Sequence, residues 1–325
     1  MVTTQPKCHI CGSEGEHLLP WASGDGEMRR CNECDFVFAW PIEEIDAVEV
    51  YTQAYEGHET RTQMDDYARR ISRRDIVVEH ESLGLWAPAH HDTLAWIEAN
   101  VPKGATVMEV GCGLGAFLRA LRDRGYNAVG VDVAKPVVEA AQREGFKAWC
   151  GTIDTVPEGW AQPAVIVSFF VIHHIQDPVA FLSTIRTRWG APLIIAYNRA
   201  PTKETFDTNN FPPRCWGWWS EKALGRALSR AGFARVEIST KAKGLPQLFL
   251  PPKLHGFVSS VLWRWPKLRV MLQPFVEKLL NAGFKLLRPI PRLRRSFEGG
   301  LLIIARPAET NGHASTLEAV EEAHA

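Results

Sequence analysis

A strand, a glycine-rich turn, a helix and a second strand follow one another between residues 105 and 133, and few folds accommodate this succession. The apolar stretch Val107–Val110 is typical of a buried strand, Ala116–Arg124 has helical spacing, and Asn127–Val133 is typical of a second strand. Glycines allow the backbone to approach a ligand closely, and the start of the helix offers free N–H groups. Asp132, at the end of the second strand, is placed to hydrogen-bond a ribose diol.

The glycine turn has the spacing G-x-G-x-G, which differs from the G-x-G-x-x-G of dinucleotide-binding proteins. "EVGCGLG" followed by "GVDV" resembles the first motif, and its acidic partner, of class I S-adenosylmethionine-dependent methyltransferases. The resemblance continues to "GGLLIIARP" near the C-terminus and implies an α/β fold: a Rossmann-like, seven-stranded sheet whose last strand is antiparallel. The cofactor-binding residues that we expect are Glu109, Gly111, Gly113, Gly115, Asp132, Thr152, Ile153 and Phe170.

Four of the seven cysteines lie near the N-terminus in two C-x2-C pairs separated by nineteen residues. Two such pairs supply the four thiolates of a tetrahedral structural zinc site, which has no open position for chemistry. The sequence therefore predicts a zinc ribbon whose ligands are Cys8, Cys11, Cys31 and Cys34. A ribbon ahead of this domain, continued by "CNECDFVFAWP" and "VYTQAYEGHE", resembles bacterial sugar C-methyltransferases and natural-product methyltransferases.

Candidate catalytic groups stand where the fourth and fifth strands are predicted to end. His173 and His174 close the run "SFFVIHHIQDP", and Tyr197 closes "PLIIAYN". A histidine titrates near working pH and can remove a proton from the acceptor. The alternative is structural: His174 caps the loop through a hydrogen bond and His173 points to solvent or to a lid. Adjacent histidines on an extended chain point in opposite directions, which disfavours a shared metal ion.

The stretch "NNFPPRCWGWWSEKAL" replaces a histidine-containing segment of related enzymes with several tryptophans. Trp216, Trp218 and Trp219 could form an aromatic wall or a sugar-stacking platform for the substrate. Equally, they could pack in the core between the sheet and a lid. The difference from related enzymes prevents the transfer of a substrate from the family.

The formal charge is balanced, with 37 basic and 37 acidic residues, but residues 241–296 carry 12 Lys or Arg and one acid. Apolar residues and tryptophans at helical spacing make this block a candidate for a membrane-surface helix over 254–292. It could also bind an anionic partner, or cover the sheet or a dimer face. The N-terminal residues lack the features of a signal peptide, so we expect a cytoplasmic protein, with peripheral membrane contact as a further possibility.

The predicted organisation has five parts. They are a zinc ribbon (1–40), a helical cap over the cofactor pocket (41–100), a methyltransferase domain (101–240 with 297–307), the basic insertion (241–296) and a disordered tail (308–325). Methyl transfer to a small molecule is the function we expect: a sugar, a polysaccharide or lipid-linked intermediate, or a natural product. The alternatives are an RNA methyltransferase, which the neutral pI disfavours, and a non-catalytic scaffold that binds the cofactor. The oligomeric state is left open.

Overall fold

The computed structural model describes residues 6–21, 24–56, 87–198, 211–242 and 298–307 of the chain. Within these residues two sheets form, one of seven strands and one of four. The strands are β1 (Gly15–Pro20), β2 (Glu27–Cys31), β3 (Val37–Trp40), β4 (Thr106–Val110), β5 (Asn127–Asp132), β6 (Lys147–Cys150), β7 (Val165–Phe169), β8 (Leu193–Asn198), β9 (Gly217–Trp218), β10 (Phe233–Ala242) and β11 (Glu298–Pro307). The helices are α1 (Ala47–Glu56), α2 (Ala87–Asn100), α3 (Ala116–Arg122), α4 (Lys135–Arg143), α5 (Pro178–Trp189) and α6 (Glu221–Arg230).

The large sheet has the strand order β10-β11-β8-β7-β4-β5-β6. β4 pairs in parallel with β5 and β7, and β7 pairs in parallel with β8, whereas β11 inserts antiparallel between β8 and β10. The predicted seven-stranded mixed sheet with an antiparallel last strand is therefore confirmed. Because β4, β5 and β7 are parallel, their carboxyl ends meet at one edge, where the turns that follow them form the candidate site.

Local sequence signals fix the helices that flank this edge. α5 begins with Pro178 after Asp177, whose side chain accepts a hydrogen bond from the N–H of Ala180, and it ends at Gly190 with a left-handed φ of 60°. Ser220 caps α6 in the same way, by accepting from the N–H of Ala223. These caps satisfy backbone groups that a helix end would otherwise leave unpaired.

The small sheet has the order β1-β2-β3-β9, so its fourth strand comes from a distant part of the chain. Val37 pairs with Trp218 and Phe38 with Gly217, and the N–H of Ala39 donates to the carbonyl of Trp216. The four-cysteine segment is thus joined by backbone hydrogen bonds to the segment that carries the tryptophans.

Side-chain packing continues across this junction. The rings of Phe36 and Trp219 lie 4.4 Å apart, and both side chains are fully buried. The Ser220 hydroxyl donates to the carbonyl of Cys34 at 3.2 Å, and the Arg230 guanidinium donates to the carbonyl of Ile10. One hydrophobic core therefore includes the ribbon and one face of the large sheet. This packing supports the core interpretation of Trp216 and Trp219, which are buried.

Three predicted features fall wholly or partly outside the described residues. They are most of the basic insertion with its candidate membrane segment 254–292, the C-terminal tail, and residues 57–86 of the helical cap. Among the described helices, none is long and apolar enough to span a bilayer.

Candidate active site

The turn after β4 takes its shape from three glycines with positive φ angles: 80° at Gly111, 48° at Gly113 and 76° at Gly115. A Cβ at Gly111 would lie 2.2 Å from Cγ2 of Val171, so this position has no room for a larger residue. A Cβ at Gly113 would meet nothing within 4 Å, which leaves the backbone open on that side. The turn is therefore packed against the protein at one glycine and accessible to a ligand at the next.

Asp132, at the end of β5, holds the glycine turn. Its carboxylate accepts hydrogen bonds from the N–H of Gly113 at 2.9 Å and from the N–H of Ala134 at 2.9 Å. Burial nevertheless raises the pKa of Asp132, although the backbone N–H groups act in the opposite direction. Each carboxylate oxygen can accept more than one hydrogen bond, so capacity for a ligand remains.

Glu109 lies one strand away, near the end of β4, and is 5% exposed. Its Oε2 has no hydrogen-bond partner among the described residues. Burial, together with the nearby charge of Asp132, raises the pKa of Glu109 well above its usual range. A buried carboxyl oxygen without a partner, beside an open glycine turn, fits a site completed by a bound polar ligand.

The remaining predicted cofactor residues lie at the same edge of the sheet. Thr152 and Ile153 follow β6 in a turn, with Thr152 partly exposed and Ile153 buried. Phe170 directly follows β7 and has a φ of 59°, which is a strained conformation for a bulky residue. Its N–H donates to the carbonyl of Ala196 at 2.9 Å, which fixes the departure of the chain towards the histidines.

The two histidines lie in a short 3-10 helix, Ile172–His174, and not on an extended chain as we expected. The left-handed conformation of Phe170 ends the strand before the histidines. The prediction that their rings point in opposite directions assumed an extended chain, and that assumption was wrong. Their ring centroids lie 3.9 Å apart. Burial lowers the pKa of both imidazoles, that of His173 to about 2, so both are neutral in the folded protein at neutral pH.

Cys215 lies close to the two histidines, and the sequence did not indicate this proximity. One ligand atom each from His173, His174 and Cys215 lies within 4.8 Å of the other two. Cys215 is buried, and Trp218 stacks on the ring of His173 at 5.5 Å. Cys215 and His174 are 41 residues apart, so no local spacing could have revealed the cluster.

Tyr197, predicted as a catalytic group, is buried at the end of β8. Its hydroxyl accepts a hydrogen bond from the N–H of Trp219 at 3.3 Å, and its ring lies 5.5 Å from that of His173. Burial raises the pKa of Tyr197 well above its usual range. This environment favours a role in positioning the tryptophan segment over a role in proton transfer.

The four N-terminal cysteines also cluster. Their sulfur atoms approach to 3.6 Å between Cys8 and Cys34, 3.4 Å between Cys11 and Cys31, and 3.8 Å between Cys11 and Cys34. All are free thiols, and the edges of a tetrahedral zinc–thiolate centre measure roughly 3.8 Å. The side-chain hydrogen bond with Cys34, together with burial, raises the pKa of Cys8. The donor set therefore fits a structural divalent metal.

A family model described as a methyltransferase domain matches residues 79–238. The matched region contains the glycine turn, Asp132 and the histidine turn. Residues 79–238 are thus similar to a methyltransferase domain, as the motifs of the sequence led us to expect.

Individual relatives are distant. The ubiquinone biosynthesis O-methyltransferase of Leptothrix cholodnii is 30% identical over 99 residues, which are 27% of this chain and 42% of that protein. The match therefore spans less than half of that relative.

Two solved structures are also similar. Haemonchus contortus phosphoethanolamine N-methyltransferase 2 with S-adenosylmethionine has a TM-score of 0.49 at 12% identity, covering 83% of this chain and 62% of that one. Synechocystis PCC 6803 magnesium protoporphyrin IX methyltransferase with bound S-adenosylhomocysteine has a TM-score of 0.45 at 15% identity, covering 79% and 99%.

Proposed function

We propose that this protein transfers a methyl group from S-adenosylmethionine to a small-molecule acceptor. The observation that carries the proposal is the open glycine turn, held by Asp132 beside the unpartnered Oε2 of Glu109, within a methyltransferase domain. S-adenosylmethionine, when bound, supplies a methyl group activated by a sulfonium. The residues of this chain have to hold it, orient the acceptor and manage the acceptor's proton.

The residues that would hold the cofactor are distributed over four strand ends, those of β4, β5, β6 and β7. Asp132 and Glu109 offer carboxyl oxygens suited to the hydroxyls of a ribose, and Gly113 offers an open backbone. Ile153, with Thr152, would contact the adenine, and Phe170 would line the pocket from β7. These roles follow from the resemblance and from the shared edge of the sheet.

The acceptor would lie against the histidine turn and the tryptophan segment. His174 faces Tyr51 of α1 at 5.5 Å between rings, and the Tyr51 hydroxyl donates to the carbonyl of Arg214 at 2.9 Å. The N–H of Lys135 donates to the hydroxyl of Thr52, so α1 also touches the start of α4 near Asp132. α1 therefore links the cofactor end of the site to the acceptor end, which supports a cap over this region. A sugar, a polysaccharide or lipid-linked intermediate, or a natural product is the acceptor class that we propose.

We further propose that Cys8, Cys11, Cys31 and Cys34 bind one structural zinc ion. The ion would stabilise the ribbon and, through β3 and β9, the tryptophan segment.

Two measurements test this function. Isothermal calorimetry with S-adenosylmethionine should give one binding site per chain, and absence of binding would refute the proposal. Cell extracts should then be incubated with enzyme and a cofactor carrying a deuterated methyl group, and searched by mass spectrometry for labelled small molecules. Label found in RNA instead would support the RNA methyltransferase, and binding without any transfer would support the scaffold.

A further inference from the structure

The cluster of His173, His174 and Cys215 brings together two imidazoles and a thiol that come from different segments. Hydrogen bonds hold the segments in register. The N–H of Trp216 donates to the carbonyl of His173 at 2.8 Å, and Nδ1 of His174 lies 2.5 Å from the carbonyl oxygen of Arg214. The three ligand atoms lie within 4.8 Å of one another. Ligand atoms around a tetrahedral zinc ion are roughly 3.3–3.8 Å apart, so the three side chains would have to draw closer together for one ion to bind all three.

The hydrogen bond of His174 determines its tautomer. A carbonyl oxygen can only accept, so Nδ1 of His174 carries the hydrogen and Nε2 keeps its lone pair. Metal-binding histidines commonly have this arrangement, in which one ring nitrogen donates to a backbone carbonyl and the other binds the ion. The same carbonyl of Arg214 also accepts from the hydroxyl of Tyr51, which further fixes the geometry.

The ring of His173 is held by stacking, with Trp218 at 5.5 Å and an interplanar angle of 19°. Its Nδ1 is buried and has no hydrogen-bond partner among the described residues. A buried ring nitrogen without a partner is unfavourable unless something binds it. Cys215 contributes a buried sulfur atom beside the ring of His174, 4.0 Å from its Nδ1, the ring nitrogen that donates to Arg214 and not the one that would bind the ion.

We propose that His173, His174 and Cys215 bind one divalent transition-metal ion of the zinc class, separate from the four-cysteine ribbon. Two imidazoles and one thiolate are ligands that zinc accepts readily, and three protein ligands leave its fourth position open. The two histidines are partly exposed and Cys215 is buried, so the open position would face outwards from the core. Metal binding would give Nδ1 of His173 the partner that it lacks among the described residues.

The position of the ion indicates a role for it in catalysis. That role rests on the proposed methyl transfer, but metal binding does not. Val171, next to the histidines, touches the glycine turn at Gly111. An acceptor hydroxyl or thiol bound at the open position would lose its proton to solvent more easily, since the cation lowers its pKa. Its lone pair would then form the bond to the methyl carbon, while the carbon–sulfur bond breaks and its electron pair returns to sulfur. The acceptor class is therefore an alcohol, phenol or thiol.

Metal stoichiometry of the full-length chain tests the site. After saturation with zinc and removal of free ion, elemental analysis should give two zinc ions per chain in the wild type. Cys215→Ser and His174→Gln should each give one. Cys34→Ser, in the ribbon, should also lose one ion, and Cys150→Ser, an exposed cysteine elsewhere, should lose none. Circular dichroism verifies that each variant is folded.

A second probe does not depend on the folding of the position-215 variant. Cobalt(II) bound to wild-type protein should show two populations, one with four thiolates and one with a single thiolate, which differ in the intensity of the thiolate-to-cobalt charge-transfer band. A wild type that binds one metal ion, lost entirely in Cys34→Ser, would overturn the proposal. Two ions per chain without methyl transfer would leave the metal site standing and refute the proposed function instead.

Discussion

The backbone of Gly217 lies against the ring of Phe36, so closely that a Cβ at position 217 would stand 2.3 Å from Cζ of Phe36. This contact joins β9 to the start of β3, and with it the tryptophan segment to the cysteine cluster. Only glycine allows the approach, because the nearest atoms belong to a fully buried ring.

Gly217→Ala should therefore lower the free energy of unfolding by about 1–3 kcal/mol, the usual cost of overpacking a core. Urea denaturation measures this change. Gly225→Ala is the matched control, because that glycine lies within α6 and its nearest contact is Ile238 at 4.0 Å. Alanine there should be neutral or stabilise the protein by up to about 1 kcal/mol. Equal effects at the two positions would contradict the packing described here.

Gly111→Ala should abolish tight cofactor binding. The new Cβ would meet Val171 and would also have to adopt a φ of 80°, and both effects displace the glycine turn. Gly145→Ala shares the positive φ, 86°, but has open space around it, so it reports the backbone strain alone. Calorimetry with S-adenosylmethionine should show a loss only for Gly111→Ala. A normal affinity in that variant would mean that the turn does not contact the cofactor.

Asp132→Ala should weaken S-adenosylmethionine binding by at least about tenfold, since hydrogen bonds to charged groups are worth about 1.5–3 kcal/mol. The variant loses both the expected ribose contact and the bond that holds Gly113. Asp123→Ala, at the exposed end of α3, should bind the cofactor normally. Unchanged affinity in the Asp132 variant would exclude the ribose role.

Glu109 should make stability depend on pH. A carboxyl whose pKa is raised by folding contributes stability that is complete below its ordinary value of 4.5 and is lost as the pH rises through the raised value. The free energy of unfolding of the wild type, relative to Glu109→Gln, should therefore fall as the pH is raised above 4.5. The slope cannot exceed about 1.4 kcal/mol per pH unit. Parallel denaturation curves for the two proteins between acidic and neutral pH would show that Glu109 is not buried as described.

Removal of the proposed zinc ion from the ribbon should destabilise the whole described structure, because the ribbon shares its core with the large sheet. Cys34→Ser should lower the free energy of unfolding by about 2 kcal/mol or more, while Cys150→Ser should have little effect. Thermal unfolding with and without a chelator measures this loss. If the chelator removes only a separate unfolding transition at low temperature and leaves the main transition unchanged, the ribbon unfolds independently and the shared core is contradicted.

The sequence predicted the features that depend on local pattern. Apolar runs followed by turns located β4, β5, β7 and β8, and the glycine spacing located the turn after β4. Asp132 was found because the acid at the end of the second strand has a fixed place in such folds.

Features that depend on contacts between distant segments were not predictable. β9 has two residues, too few for a periodic signal, and forms only because Val37 and Phe38 lie beside it. The 3-10 turn at the histidines depends on the left-handed conformation of Phe170, a residue type that rarely adopts it. Cys215 lies beside the histidines because the segment around it is hydrogen-bonded to that turn, through the N–H of Trp216 and the carbonyl of His173.

The pairing of β9 with β3 has a consequence for protein engineering and for the evolution of the sequence. Without Gly217–Trp218, β3 would present free backbone groups along an open sheet edge, next to the buried rings of Phe36 and Phe38. Such an edge invites pairing between molecules and aggregation. A ribbon grafted from a relative should therefore be exchanged together with residues 211–220, and the two segments should co-evolve as one unit even though they lie far apart in the gene.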